Sequence, residues 1–308
     1  MRYPRGGGVS YFIIGGTEKA GTTSVFEYFA LHPQIRPSLR KETDYFRQPH
    51  CSEDGYRALF SQNDSGQVLM EASPGYLGLA RDVAPRISAT LPDCRLLFIL
   101  RDPVERFQSS YRFHRSKFFI PDWLGIDDYV QLCLAYDEGR IELKDTPFDN
   151  PWFMDVLPAG RYASHLQHYL EHFDSRVLLL DFNQLNREPA AVMQRLCAAL
   201  EIDGDFFRDF DFFRANTTFQ GRNRWLHRQG MKVNHALEPV LRRHPRAKRR
   251  IVSLYRKLNG GGTPEQATLS PTSARQLRDY YADDVAQVTA LLGSDATSPL
   301  QWRHFHAA

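Results

Sequence analysis

A chain of 308 residues, 42% hydrophobic and 24% charged, has the composition of an ordinary globular protein. No stretch reaches the roughly 18 apolar residues of a membrane span. A formal net charge of +3 gives the chain as a whole no polycationic character. In chain order, a polar N-terminus (residues 1–8) runs directly into an apolar segment and is not expected to act as a signal peptide. Residues 11–15 read as a strand, ending in Gly15-Gly16. A polar loop with Lys19 and Gly21 follows, and then a helix over 22–31 whose apolar face carries Val25, Phe26, Phe29 and Ala30. Further strands are expected over 67–71, 95–100 and 176–181. Helices are expected over 79–90, 103–117, 127–139, 160–172, 188–200 and 271–292. Short apolar runs alternating with longer amphipathic ones predict βαβ units, an α/β fold with a central, mainly parallel sheet flanked by helices. No Pro/Ser-rich linker, repeat or low-complexity tract divides the chain, so residues 1–308 are expected to form a single domain.

Strand, glycine loop and helix in that order place backbone N–H groups and a helix N-terminus where they can hold a phosphate. Lys19 adds a cation, and Thr22, Thr23 and Ser24 add hydroxyl donors. The order Lys19-Ala20-Gly21-Thr22-Thr23 is not that of a Walker A loop, whose lysine follows the last glycine. A second motif lies at the end of the strand over 95–100, in Arg101-Asp102-Pro103 followed by Arg106, Ser109 and Tyr111. Pro103 suits the first helical position and Asp102 its N-cap. Arg101 therefore stands at the carboxyl end of a strand. Ser109 lies two helical turns further on, roughly 12 Å along the axis.

The two motifs together resemble those of sulfotransferases that use 3′-phosphoadenosine 5′-phosphosulfate (PAPS). The closest resemblance is to the heparan sulfate N- and O-sulfotransferase-like branch and its bacterial relatives. Other landmarks occur in the same order: His32-Pro33, Lys41-Glu42-Thr43-Asp44-Tyr45-Phe46, Glu71-Ala72-Ser73-Pro74-Gly75-Tyr76, Gly160-Arg161-Tyr162 and Leu269-Ser270-Pro271. The resemblance implies a P-loop-like sulfotransferase fold. It also implies an enzyme that moves the sulfuryl group of PAPS to a hydroxyl or amine of a carbohydrate, glycolipid or small molecule, releasing adenosine 3′,5′-bisphosphate (PAP). Lys19, Ala20, Gly21, Thr22, Thr23 and Ser24 would hold the 5′-phosphosulfate, with Lys19 also stabilising charge in the transfer. Arg101 and Ser109 would hold the 3′-phosphate, and Glu42 would be the general base. Arg222 and Arg224 fall where related enzymes close a loop over the nucleotide. No metal is required by this chemistry, and no His, Cys or Asp cluster occurs at ligand spacing.

Two departures stand out. Asp44 replaces a histidine common in related enzymes. Ala72 replaces a lysine that assists at the sulfuryl centre in the animal enzymes, which also weakens the case for a heparan-like acceptor. Glu71 is expected on the acceptor side or in a buried polar network. Residues 222–257 concentrate twelve Lys and Arg against Glu238, and the part over 242–250 reads as a solvated helix or acceptor rim. Zinc-finger, basic-zipper and RNP-like patterns are missing, so a nucleic-acid partner is not expected. His32 is expected to cap the first helix. His114, His165, His168 and His172 fit a half-buried face or the acceptor cleft. Cys51, Cys94, Cys133 and Cys197 form no zinc or Cys-x-x-Cys pattern and read as buried thiols of a reduced, cytoplasmic protein. The competing functions are a P-loop nucleotide kinase or phosphotransferase, and a non-catalytic anion- or glycan-binding protein on the same fold.

Overall fold

The computed structural model describes residues 10–61, 67–213, 267–292, 300 and 302–305. Five strands among them form one sheet: β1 (Ser10–Gly16), β2 (Ile35–Pro37), β3 (Val68–Ala72), β4 (Arg95–Leu100) and β5 (Val177–Asp181). Their order is β2-β3-β1-β4-β5, and every pairing is parallel. The helices are α1 (Thr22–Phe29), α2 (Glu53–Arg57), α3 (Ala80–Thr90), α4 (Pro103–Ser116), α5 (Ile126–Asp137), α6 (Tyr162–Phe173), α7 (Phe182–Arg187), α8 (Pro189–Leu200) and α9 (Pro271–Leu292). No helix among the described residues is long and apolar enough to cross a membrane.

Contacts divide the chain into two compact units, Met1–Leu100 with Ser164–Ala215, and Arg101–Ala163 with Asn216–Ala308. The first holds the whole sheet. Its central strand β1 is buried along nearly its full length, which explains the unbroken apolar run in the sequence. Phe12 and Ile14 of β1, Val25, Phe26 and Phe29 of α1, and Leu97 and Ile99 of β4 share one core with Val192, Met193 and Leu196 of α8. Burying each such side chain contributes about 1.5–3 kcal/mol. This packing fixes α1 against the sheet and so fixes the loop between β1 and α1.

In the second unit, α9 ties several segments together. The Asp284 carboxylate accepts from the Tyr162 and Ala163 amides at 2.7 and 2.9 Å, capping the start of α6. The Tyr281 hydroxyl donates to the Leu157 carbonyl at 2.7 Å. Arg106 is 1% exposed, and its guanidinium donates to the Val156 carbonyl.

Four strands and seven helices match their expected positions closely. The differences have local causes. β2 is only three residues long and ends in Pro37, which suits a sheet edge where no ladder N–H is needed. The helix expected from 160 starts at Tyr162, because residues 158–160 form a 3-10 turn with Gly160 pressed against Tyr281. A Cβ at Gly160 would lie 2.8 Å from that ring. The segment after β5 holds two helices rather than one, with Asp181 capping α7 through the Asn183 amide. Arg222, Arg224 and the basic cluster over 242–250 lie outside the described residues.

Candidate active site

The loop leaving β1 is stitched to the end of β4 by a hydrogen bond from the Thr17 amide to the Ile99 carbonyl, 2.9 Å. Lys19 and Gly21 both adopt left-handed backbone, at φ 68° and 85°, so the chain curls tightly before α1 begins. At Gly21 two demands coincide: the positive φ, and a Cβ that would meet Phe182 and Leu185 at 3.1 Å. Gly21 is the N-cap of α1 and offers no side chain of its own to cap it. The first amides of a helix need partners from outside it. The Ser24 amide already donates to the Gly21 carbonyl at 2.9 Å, so a helix start behind a curled loop leaves the Thr22 and Thr23 amides and the positive end of the dipole for an anion. Lys19, Thr23 and Ser24 are half-buried at this point, while Ala20 and Thr22 are buried. The residues present therefore fit a phosphate group.

Glu42 lies in the segment leading to a short 3-10 turn, Tyr45–Arg47. Its side chain is 47% exposed and pairs with the Lys41 ammonium at 3.2 Å. The adjoining residues are held from β3 and the turn after it. The Thr43 hydroxyl donates to Glu71 Oε2 at 2.6 Å, and the Ser73 hydroxyl donates to the same oxygen at 2.7 Å. Ser73 Oγ accepts the Asp44 amide at 3.0 Å, and the Tyr76 hydroxyl accepts the Phe46 amide at 3.1 Å. Burial raises the Asp44 pKa, with Glu42 adding to the shift and Arg47, 3.8 Å away, opposing it.

Glu71 belongs to a buried polar network, one of the two roles its position suggests. It is fully buried, and burial pushes its carboxyl up to about 7, with the hydroxyls of Thr43, Ser73 and Tyr76 pulling the other way. Because the folded pKa lies above the ordinary 4.5, the folded protein holds a proton that the unfolded chain has released. That stabilisation is complete below about pH 4.5 and is lost as pH rises through about 7. Relative to Glu71→Gln, the wild type should lose on the order of 3 kcal/mol of stability across this window. Urea midpoints at pH 4.5 and 8 for both proteins measure it. Parallel pH dependences would show that Glu71 is not the titrating group.

In the second unit, the residues after β4 fold as the motif predicts. Asp102 caps α4, accepting from the Val104 and Glu105 amides at 3.0 and 3.2 Å, with Pro103 at the first helical position. The Arg101 carbonyl accepts from the Tyr162 hydroxyl at 2.8 Å. The Arg101 guanidinium pairs with Glu105 at 3.3 Å, and Glu105 also pairs with Arg303 at 3.2 Å. Ser109 is half-buried on α4. Asp102, Glu105 and His304 bring potential ligand atoms within 4.8 Å of one another. They do not form a plausible cation site. Asp102 is occupied by two amides and by His304 Nδ1 at 2.8 Å, and Glu105 faces two guanidiniums.

Four smaller expectations, those for His32, His114, Cys51 and His172, need correction. His32 does not cap α1. It is buried, its Nδ1 accepts the Gln34 amide at 3.2 Å, and its Nε2 lies 2.8 Å from the Asp203 carbonyl. His114 is 2% exposed rather than half-buried, with its ring 4.6 Å from that of Trp152. Cys94, Cys133 and Cys197 are buried as expected, but Cys51 is half-buried. Of the α6 histidines, His165 and His168 are half-buried and His172 is exposed. The supporting hydroxyls of Thr43 and Ser73 were not singled out in the sequence. The signal was present in two hydroxyl residues, each within two positions of an acidic one.

Similarity to known proteins agrees with this geometry. The chain is 32% identical over 188 residues to heparan sulfate glucosamine 3-O-sulfotransferase 6 of Homo sapiens, covering 60% of this chain and 50% of that protein. It is 29% identical over 197 residues to bifunctional heparan sulfate N-deacetylase/N-sulfotransferase 2 of Homo sapiens, covering 60% of this chain and 21% of that protein. The chain thus spans about half or less of the length of these curated relatives. Its fold is shared with a sulfotransferase from Alicyclobacillus acidocaldarius, at a TM-score of 0.63 and 21% identity over 93% of this chain and 96% of that one. The sulfotransferase domain model matches residues 10–220, and on that match the chain belongs to the sulfotransferase domain family.

Proposed function

We propose that the whole chain acts as one PAPS-dependent sulfotransferase domain, moving a sulfuryl group to a hydroxyl or amine. The acceptor class is a carbohydrate, a glycolipid or a small molecule, in keeping with the heparan sulfate enzymes it resembles. The observation that carries this is the start of α1 at left-handed Gly21, with Lys19 beside it, in a chain of this family. PAPS supplies an activated sulfuryl group on a phosphate leaving group. Lys19, the α1 amides at Thr22 and Thr23 and the Ser24 hydroxyl bind the 5′-phosphosulfate, and Ala20 and Gly21 let the backbone approach it. Their fixed donors favour the charge that develops on the leaving phosphate. Arg101 exchanges its Glu105 partner for the 3′-phosphate, with Ser109 as a hydroxyl donor. Arg222 and Arg224 are assigned to the nucleotide as well. Glu42 takes the acceptor proton, which neutralises its carboxylate as the acceptor oxygen or nitrogen attacks sulfur. No step calls for a metal ion. The four free thiols suit a reducing, cytoplasmic compartment.

Nucleotide-dependent melting separates this function from a kinase or phosphotransferase. At equal concentration PAP should raise the melting temperature well above any effect of ATP. Saturation at 100 times the dissociation constant adds about 2.7 kcal/mol. A larger shift with ATP and Mg²⁺ would favour phosphoryl transfer, and no shift with either would favour a non-nucleotide binding role.

A further inference from the structure

Glu71 is a fully buried carboxylate outside the assigned nucleotide and base residues. It is fixed on β3 next to the strand end, and its contacts point to the segment carrying Glu42 rather than to the core alone. Oε2 accepts two hydroxyl protons, from Thr43 and from Ser73. Because the Ser73 proton is committed to Glu71, the serine oxygen is available to accept the Asp44 amide. The Thr43 oxygen similarly accepts the Tyr45 amide at 3.3 Å. One carboxylate thereby orients two hydroxyls, and they in turn hold two consecutive backbone amides just after Glu42.

We propose that Glu71 is a positioning residue: in its ionised form it fixes the turn that carries the Glu42 base, and its protonation loosens that turn and slows transfer. This rests on Glu42 being the base. Ionised acceptors make hydrogen bonds roughly twice as strong as neutral ones, so the hydroxyl relay is firmest when the carboxyl has lost its proton. Burial sets that loss near neutrality. The titratable groups facing Glu71 are Asp44 on the held turn, Tyr56 of α2, Tyr76, Cys94 before β4 and Tyr169 of α6. Burial raises the pKa of each of them. The tyrosines and Cys94 therefore stay neutral around pH 7, leaving Asp44 as the other carboxyl that faces Glu71.

The test is the pH dependence of kcat with PAPS and an active acceptor for the full chain, measured on wild type, Glu71→Gln, Thr43→Val and Glu42→Gln. In the wild type kcat should rise with pH through an inflection near 7. Glu71→Gln should lose that inflection and lower kcat at pH 8 on the order of tenfold, with PAP affinity unchanged. Thr43→Val leaves the core carboxyl in place and covers the case in which Glu71→Gln does not fold. It should move the inflection to higher pH, because the ionised form loses a donor. An inflection that persists in Glu71→Gln, or a Thr43→Val profile superimposable on wild type, overturns the positioning role. If that happens while Glu42→Gln is inactive, the base assignment stands and only the role of Glu71 falls. A fully active Glu42→Gln removes the base and the positioning role with it.

Discussion

Glu42→Gln is expected to lower the transfer rate by 10²- to 10⁴-fold, the usual loss when a general base is removed, while PAP affinity stays near that of the wild type. The substitution keeps shape and removes only the proton acceptor. The half-exposed carboxylate pairs with Lys41, and surface pairs of this kind contribute little to stability. The fold should therefore be preserved. Asp44→Asn is the comparison. Asp44 sits at φ 51°, a conformation asparagine also tolerates, and its backbone amide rather than its carboxylate is bound by Ser73. It should cost much less. Retention of more than about a tenth of the rate in Glu42→Gln, with Asp44→Asn or a histidine variant inactive, would move the base to that other residue.

Arg101→Ala should weaken PAP binding on the order of tenfold to a hundredfold, since hydrogen bonds to charged groups contribute about 1.5–3 kcal/mol. Calorimetry with PAP and with adenosine 5′-phosphosulfate, which lacks the 3′-phosphate, gives the contrast. The loss should appear with PAP and be small with the second ligand. Glu105 keeps its pairing with Arg303 in the variant, so no acid is left without a partner. Equal affinity of wild type and variant for PAP would take the 3′-phosphate away from Arg101. Lys19→Ala provides the complement, with its main effect on the rate of transfer.

Much of this was legible in the sequence because the informative features are local. A buried parallel strand reads as a short apolar run, which located β1, β3, β4 and β5 to within a residue at either end. The Asp102-Pro103 start of α4 was legible for the same reason: cap and first-turn proline are adjacent in the chain. β2 was not, because three residues ending in proline carry no periodic signal. The relay from Glu71 to Thr43 joins positions 28 residues apart and depends on strand packing that no spacing rule encodes. The His304–Asp102 contact spans 202 residues and was equally out of reach. His32 was misread because its position after α1 suggested a cap, whereas its ring is occupied by Gln34 and Asp203.

The most direct test of PAPS-dependent transfer is turnover of sulfur-labelled PAPS by the purified chain in excess EDTA, against a panel of sugars, glycolipids and small alcohols and amines. Label should pass to an acceptor with release of PAP, and Lys19→Ala and Glu42→Gln should abolish most of it. Label that stays on the nucleotide across the panel, while phosphate from ATP is transferred once Mg²⁺ is restored, would contradict sulfuryl transfer and make the chain a phosphotransferase.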